Sequence, residues 1–544
     1  MKVVIIGGVA GGATAAARLR RLDESAEIIL FERGEYISFA NCGLPYYIGG
    51  EIKEKSALTV QTPESFRARL NVDVRTRQTV TAVDRKNKSV TVRRENGEEY
   101  SETYDKLLIT PGAAPVRPPL KGTDKENVFT LRNIPDTYRM DEYITARKPK
   151  TAAVVGGGFI GLEMAENLTR RGIAVTVIEA APQIAAVLDE DTACDLQNYL
   201  TEQGVRIRTN AKIESTDETG CDMTLLSVGV RPESELAAAC GLETGLRGAI
   251  KTDDHMRTSD PDIYAAGDVV QIRNFVTGGE GYIPLAGPAN KQARIAADNI
   301  AGGNSVYRGT QGTSVLKAFG MTAAATGLNE RAAKAAGIPY DKVFLYSANH
   351  ASYYPGAQFM NLKVLFHKES GKILGAQAVG FDGTDKRIDV LATAIRAGMT
   401  AGDLCGLELA YAPPFSSAKD PVNMAGYVIE NLLSGKVRQI HWHDVDSLTG
   451  TPGLQRIDVR PAAAYANGTI PGAVSIPLAQ LRGRLGEIDK SRPVYVSCQT
   501  GLNSYIACRI LLQNGFQAVN LAGGYRLYNA VRQAKTCNAS QETT

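Results

Sequence analysis

One pattern, present twice, constrains this chain more than any other feature. It is an apolar strand, a glycine-rich turn, a helix and a second strand ending in glutamate. The first copy runs Val3-Val-Ile-Ile-Gly7-Gly8-Val9-Ala10-Gly11-Gly12, then an Ala/Arg helix, then Ile28-Ile-Leu-Phe-Glu32. The second runs Ala153-Val-Val-Gly156-Gly157-Gly158-Phe159-Ile160-Gly161, then a helix, then Val175-Thr-Val-Ile-Glu179. The glycines permit a tight turn and let the backbone approach a pyrophosphate, and the helix N-terminus adds free N–H groups and partial positive charge. A glutamate about 20 residues on suits ribose hydroxyls. The first copy departs from the pattern at Val9, where a glycine would stand, but Gly7, Gly11 and Gly12 remain.

Two Rossmann-like units in one chain imply two dinucleotides with hydride passing between them. Tyr104-Asp-Lys-Leu-Leu-Ile-Thr110-Pro111-Gly112 reads as a strand leaving the first unit, and Leu225-Leu-Ser-Val-Gly229-Val-Arg231-Pro232 as the matching exit from the second. Ile263-Tyr-Ala-Ala-Gly267-Asp268 reads as a strand whose terminal carboxylate could accept from a ribityl hydroxyl.

A length of 544 residues predicts three or four domains. Residues 309–435 carry strand-like runs and amphipathic helices but no nucleotide motif, which suits an interface domain. A polar linker is expected at 436–452, punctuated by Gly435, Gly450 and Pro452. Residues 453–535 read as a small separate α/β domain in which the strand Pro493-Val-Tyr-Val-Ser497 runs into Cys498-Gln-Thr-Gly-Leu-Asn-Ser504.

A net charge of +3 is too near neutral for a nucleic-acid surface. No apolar run reaches the roughly 18 residues that span a bilayer. Met1 and Lys2 lead straight into a strand, so no signal peptide is expected and a cytoplasmic enzyme is the default. No CxxC pair occurs among the eight cysteines, which leaves zinc and thioredoxin-type chemistry without support and predicts no metal.

Over roughly residues 1–435 this order resembles the pyridine nucleotide–disulfide oxidoreductases. Within them, Ile37-Ser38-Phe39-Ala40-Asn41-Cys42-Gly43-Leu44-Pro45-Tyr46-Tyr47 looks like the single-cysteine branch, with Tyr47 where other members carry a second cysteine. That branch includes NADH oxidases, NADH peroxidases and coenzyme A–disulfide reductases. Oxidases and peroxidases typically place a His where this chain has Ala10. Asn349-His-Ala-Ser-Tyr353-Tyr354-Pro355-Gly356 and Tyr411-Ala-Pro-Pro-Phe-Ser-Ser-Ala-Lys419-Asp420-Pro421 also look like the coenzyme A–disulfide reductases. Residues 453–535 resemble a rhodanese domain through Asp458-Val-Arg460, Ile470-Pro-Gly-Ala-Val-Ser-Ile-Pro477, the Cys498 loop and Leu521-Ala-Gly-Gly-Tyr525. Two departures stand out. Gln499 and Asn503 replace the arginine typical of such loops, which disfavours thiosulfate. The stretch between Gly204 and Leu225 is short where the family usually inserts a β-meander.

The resemblance implies an α/β chain of four domains. These are an FAD-binding domain (1–112 and 240–308), an NAD(P)H-binding domain (113–239), an α+β dimerisation domain (309–435) and, after the linker, a C-terminal rhodanese-like α/β domain (453–535). It assigns FAD and NADH or NADPH to Gly7, Gly8, Ala10, Gly11, Gly12, Glu32, Arg33, Thr110, Gly112, Gly156, Gly158, Phe159, Ile160, Gly161, Glu179, Gly229, Gly267 and Asp268. Coenzyme A contacts fall on Thr14, Arg18, Arg21, Ser38, Asn41, Asn349, Tyr353 and Lys419; Thr14, Arg18 and Arg21 share one helix face. Cys42 is the expected redox thiol, cycling through a mixed disulfide or sulfenic acid. Tyr353 and Tyr411 are expected to reach the partner's Cys42 across a homodimer, as proton donors or as plain interface aromatics. Cys498 is the expected sulfane-sulfur carrier, its loop amides forming an anion nest; the other six cysteines read as structural.

The implied activity is NAD(P)H-dependent reduction of coenzyme A disulfide, persulfide or polysulfide, with Glu179 favouring NADH. Two alternatives stay open: an NADH oxidase or peroxidase, and a relay protein that passes persulfide from Cys498 to a partner.

Overall fold

The computed structural model describes residues 1–448 and 454–541, with side chains described to Thr536. Gly450, Pro452 and the Cys537 side chain lie outside the described residues. The chain divides into two compact units, Met1–Ala180 with Asn210–Gly312, and Ala181–Thr209 with Thr313–Thr544. No helix among the described residues is long and apolar enough to cross a membrane.

The first unit holds both glycine-rich repeats. Its first sheet is parallel, in the spatial order Ile263–Ala265, Lys106–Ile109, Lys2–Ile6, Glu27–Glu32, Asp73–Thr76. Val3, Val4, Ile5, Leu107, Leu108 and Ile109 are wholly buried, as strands covered on both faces must be. The second repeat forms parallel pairs in the order Ala174–Ile178, Thr151–Val155, Met223–Leu226, Val128–Phe129. The two exit segments pair with each other: Ala113–Pro115 runs antiparallel to Val230–Pro232. Between Asn210 and Asp222 the chain makes a single 3-10 turn, Thr216–Thr219, capped by Ser215, and no strand.

The second unit contains an antiparallel sheet in the order Ser314–Ala318, Met321–Gly327, Ile373–Gly380, Phe359–His367, Tyr340–Ala348. Helices Thr384–Ala397, Pro421–Leu433 and Glu190–Glu202 pack on it. That last helix was expected within the nucleotide domain 113–239. It groups with this unit because it also packs on the C-terminal helix Gly524–Gln541. A buried ionic cluster joins these elements: the Lys363 ammonium, fully buried, sits 2.6 Å from Asp191, 2.6 Å from Glu330 and 2.9 Å from Asp189. This ammonium fills the point where the three carboxylates converge.

The last sheet is parallel, in the order Arg438–Ile440, Ala518–Leu521, Val494–Ser497, Gln455–Asp458, Val474–Ser475. Its edge strand comes from the stretch expected as linker. Arg438–Ile440 pairs in register with Val519–Leu521, which makes it part of the last domain's sheet.

Candidate active site

The two glycine-rich turns are built alike. In the first, a Cβ on Gly12 would collide with the Gly7 carbonyl oxygen, so only glycine lets the helix Ala10–Leu22 start this close to the turn. The Thr110 hydroxyl donates to the carbonyls of Ile6 and Gly7, while Gly11 stands against the Thr110 side chain. Glu32 accepts from the Gly8 amide (2.9 Å) and the Gly34 amide (2.8 Å), which fixes the carboxylate at the turn's mouth. In the second turn Gly161 meets the Gly156 carbonyl in the same way, and Glu179 accepts from the Gly157 amide at 2.7 Å. Gly158, capping the helix Phe159–Arg170, and Gly229 face open space, and Ile160 is exposed.

A cavity of about 470 Å³ runs along the first turn past Gly7, Val9, Glu32, Arg33, Thr110 and Pro111. Its far wall includes Arg132 and Glu233; Arg33 and Arg132 both bond Glu233, at 2.8 and 2.6 Å. Gly112 lies between the exit strand and Ala113–Pro115 in left-handed backbone (φ 77°), and the Gly267 amide donates to Gln292 at 2.9 Å. Burial pushes Asp268 up to about 6, against the opposing pull of Arg132. Free amides at a helix start, an acidic ribose acceptor and a long adjoining cavity make the first cradle a fit for a dinucleotide, and the second repeats the turn and its acid.

Cys42 lies in the short turn Asn41–Gly43, just before the helix Leu44–Ile48, and is exposed and unpaired. Ser38 holds left-handed backbone (φ 42°) and its amide donates to Gly8 O, tying the thiol's segment to the first turn. Asn41 is exposed. Tyr47, at the place of a second cysteine, is buried beside Tyr138, ring centroids 5.9 Å apart. The surrounding protein raises the Cys42 thiol pKa, and the carboxylates of Glu163 and Asp268 raise it further. Glu163 was not expected in the site. It sits on the helix Phe159–Arg170 and accepts from the Tyr46 hydroxyl at 3.2 Å. Burial and the Glu166 charge push it up to about 7 against that hydrogen bond.

The helix face bearing Thr14 and Arg18 turns onto the helix Ala286–Ile300. Thr14 donates to Asn290 at 2.6 Å, and Arg18 pairs with Asp298 at 2.6 Å. The Arg18 charge expected for a phosphate is therefore already paired, while Arg21 is exposed at the helix end.

In the second unit, Tyr353 and Tyr411 meet hydroxyl to hydroxyl at 3.1 Å, both exposed. A buried guanidinium positions their loops. Arg387 donates to the Asn349 carbonyl (2.8 Å), Ser416 Oγ (3.1 Å) and Asp420 Oδ2 (2.9 Å). Asn349 is itself buried, its carboxamide oxygen accepting from the Gln358 amide, which leaves that side chain facing inward; Lys419 is exposed.

Cys498 immediately follows the strand Val494–Ser497. The Gly501 amide donates to its sulfur at 3.1 Å and the Ser504 hydroxyl at 3.2 Å. The loop is stapled from behind, with the Tyr525 and Arg526 amides donating to the carbonyls of Cys498 and Gln499. Gly524 holds φ +63°, and a Cβ there would lie 2.6 Å from the Cys498 carbonyl oxygen, which explains the Gly-Gly-Tyr sequence. A cation does approach this loop from outside it: Arg460, stacked on Tyr525 at 4.2 Å, reaches Gln499 Oε1 at 3.2 Å. Its charge is taken up by a fork onto Asp458. Cys194 and Cys508 are buried, and burial pushes Cys508 up to about 12.

Family models match in three places: pyridine nucleotide-disulphide oxidoreductase over residues 1–293, its dimerisation domain over 314–421, and a rhodanese-like domain over 442–530. A coenzyme A disulfide reductase of Staphylococcus haemolyticus is 37% identical over 443 residues, covering 79% of this chain and 100% of that protein. The crystal structure of reduced Bacillus anthracis CoADR-RHD is 47% identical with TM-score 0.96, covering 98% of both chains. An NAD-dependent persulfide reductase from A. fulgidus is 39% identical with TM-score 0.91, covering 97% of this chain and 100% of that one. With two dinucleotide cradles, an exposed thiol at Cys42 and matches spanning more than half its length, this chain belongs to the pyridine nucleotide-disulphide oxidoreductase family.

Proposed function

We propose that the chain is an FAD-containing, NAD(P)H-dependent reductase of coenzyme A disulfide or coenzyme A persulfide, with Cys42 as its redox thiol and Cys498 as a sulfane-sulfur carrier. One observation carries this reading: the same chain holds an accessible thiol without a second cysteine beside it, and a second thiol gripped by two hydrogen-bond donors. Relatives named for coenzyme A disulfide and persulfide reduction support it.

When bound, FAD accepts hydride from the nicotinamide and returns two electrons to sulfur. The residues supply the rest. The Cys42 thiolate attacks one sulfur of coenzyme A disulfide, forming a mixed disulfide and releasing one coenzyme A thiolate. A tyrosine hydroxyl of the Tyr353–Tyr411 pair, contributed by a second copy, gives that thiolate its proton. Two electrons then cleave the mixed disulfide, so one NADH and one proton yield two coenzyme A thiols. With the persulfide as substrate the same electrons yield one thiol and hydrogen sulfide. The exposed aromatic patch of Tyr353, Tyr354, Tyr411 and Phe415 supports a homodimer through the dimerisation domain. Glu179, held at the second turn, favours NADH, because a 2′-phosphate would face its carboxylate. Exchanging thiols suit a reducing, cytoplasmic setting.

The test is anaerobic NADH oxidation with coenzyme A disulfide and with coenzyme A persulfide, using wild type, Cys42→Ser and Cys498→Ala. Loss of both reactions in Cys42→Ser, with Cys498→Ala failing only when sulfur must be delivered from a donor, supports the assignment. NADH oxidation by oxygen but by neither sulfur substrate would overturn it.

A further inference from the structure

The helix Ala10–Leu22 carries three arginines, and the fold uses each differently. Arg20 is buried, and its guanidinium donates to the carbonyls of Asp23, Glu24, Ala26, Leu70 and Asn71. Arg21 is exposed. Arg18 stands between these cases. Its Nε donates to Asp298 Oδ1 at 2.6 Å, while its two terminal nitrogens have no partner among the described residues and are open to solvent. The pairing therefore balances the charge of Arg18 but leaves its fork of N–H donors free.

Asp298 is itself held in place. Its other carboxylate oxygen accepts from the Ser305 hydroxyl at 3.1 Å. Ser305 is fixed in turn, its amide donating to Asn299 Oδ1 at 2.8 Å and its carbonyl accepting from Asn299 Nδ2 at 2.9 Å. A second tie between the two helices, Thr14 to Asn290 at 2.6 Å, lies one turn before Arg18. The helix Ala286–Ile300 thus presents a fixed carboxylate to the one nitrogen of Arg18 that lies outside the terminal fork. An arginine so held loses little freedom when its fork closes on a phosphate, whereas an untethered one must be ordered on binding.

We propose that Asp298 is a positioning residue: it aims the Arg18 fork at a phosphate of coenzyme A, so that Arg18 recognises the phosphate by direction and Arg21 supplies the net charge. The proposal rests on the coenzyme A reading above, and it commits to a sign. In a site that works by charge alone, removing Asp298 uncovers one positive charge and tightens binding, by about twofold at a surface dielectric. In a site that works by orientation, the same change weakens binding, because a loose guanidinium forms poorer charge-assisted hydrogen bonds.

The experiment titrates the FAD-loaded protein with coenzyme A and with pantetheine, which has the same thiol arm and no phosphate, by calorimetry. Wild type is expected to bind coenzyme A at least about tenfold more tightly than pantetheine. Asp298→Ala is expected to weaken coenzyme A about fivefold and pantetheine hardly at all. Asp298→Asn, whose carboxamide oxygen still accepts from Nε, is expected to recover most of that loss. In an Arg18→Ala background, adding Asp298→Ala is expected to bring no further weakening, since nothing remains to be aimed. Tighter coenzyme A binding in Asp298→Ala, equal weakening of both ligands, or an undiminished loss in the Arg18→Ala background overturns the positioning role. Weakening in Arg18→Ala with Asp298→Ala like wild type overturns it too, and leaves the coenzyme A reading intact. Wild type that binds coenzyme A no better than pantetheine overturns both. Arg18→Lys keeps the charge and loses the fork, and decides the matter where Asp298→Ala does not fold: it is expected to weaken coenzyme A as Asp298→Ala does, and wild-type affinity would overturn the proposal.

Discussion

The hydroxyls of Tyr353 and Tyr411 lie 3.1 Å apart although 58 residues separate them in the chain. Nothing local brings them together. Arg387, buried on a third element, bonds the Asn349 carbonyl beside one loop and both Ser416 and Asp420 beside the other. The hydrogen bond between the phenols raises the Tyr353 pKa.

A shared proton donor predicts non-additive loss. Tyr353→Phe and Tyr411→Phe should each lower kcat for coenzyme A disulfide by about 10- to 100-fold, on the scale of general acid catalysis. The double variant should be little worse than the poorer single one. Steady-state kinetics on the three proteins checks this. Additive losses, or none, would show the pair to be interface aromatics only.

Glu163 predicts a pH signature at Cys42. Titrating near 7, Glu163 is neutral below that pH and anionic above it, and its anion disfavours the Cys42 thiolate. Glu163→Gln should therefore lower the midpoint of Cys42 alkylation. The two proteins should differ above about pH 7 and converge below it. Alkylation by iodoacetamide, followed on the Cys42 peptide by mass spectrometry, reads this directly; superimposable profiles would separate Glu163 from the thiol.

The Lys363 cluster predicts both a stability loss and an acid limit. Burial alone would raise Glu330, but the Lys363 and Lys342 charges outweigh it and hold its carboxyl well below the usual range. A carboxyl so depressed contributes stability that is present above its unfolded pKa of about 4.3 and lost as pH falls further. Lys363→Met takes the shared cation from Asp189, Asp191 and Glu330, leaving Lys342 beside Glu330, and should cost about 3–5 kcal/mol. Thermal unfolding at pH 7 should show the drop, and the gap from wild type should narrow below about pH 4. An unchanged melting temperature would count against the cluster as a structural tie.

Gly524→Ala separates the two sulfur sites. A Cβ at φ +63° meets the Cys498 carbonyl, so the loop must shift and the donors to the sulfur move with it. Sulfur transfer by Cys498 should fall at least tenfold, while NADH-dependent reduction of coenzyme A disulfide stays within twofold of wild type. Equal loss of both activities would argue for general misfolding.

Much of the architecture is legible in the sequence because it is written locally. Gly7–Gly12 and Gly156–Gly161 specify turns that few other residues can make, and the buried strands on either side are continuous apolar runs. The linker 436–452 misled because Arg438–Ile440 is a three-residue edge strand, too short for a period-2 pattern, and only its partner Val519–Leu521 makes it a strand. The short stretch between Gly204 and Leu225 is visible in the sequence as a missing length; its 3-10 turn, Thr216–Thr219, is not.

By itself, the sequence determined the two nucleotide-binding repeats, the isolated Cys42, and the strand-to-loop setting of Cys498, since each depends on neighbours a few residues away. Only the tertiary structure decided which charges stand free. Arg18 is spent on Asp298 and Lys363 on three carboxylates, all pairings between elements distant in the chain. It also set Glu163 near Cys42. Propensity and periodicity act over a few residues, whereas the energy of a buried charge or polar atom depends on what the whole fold packs around it.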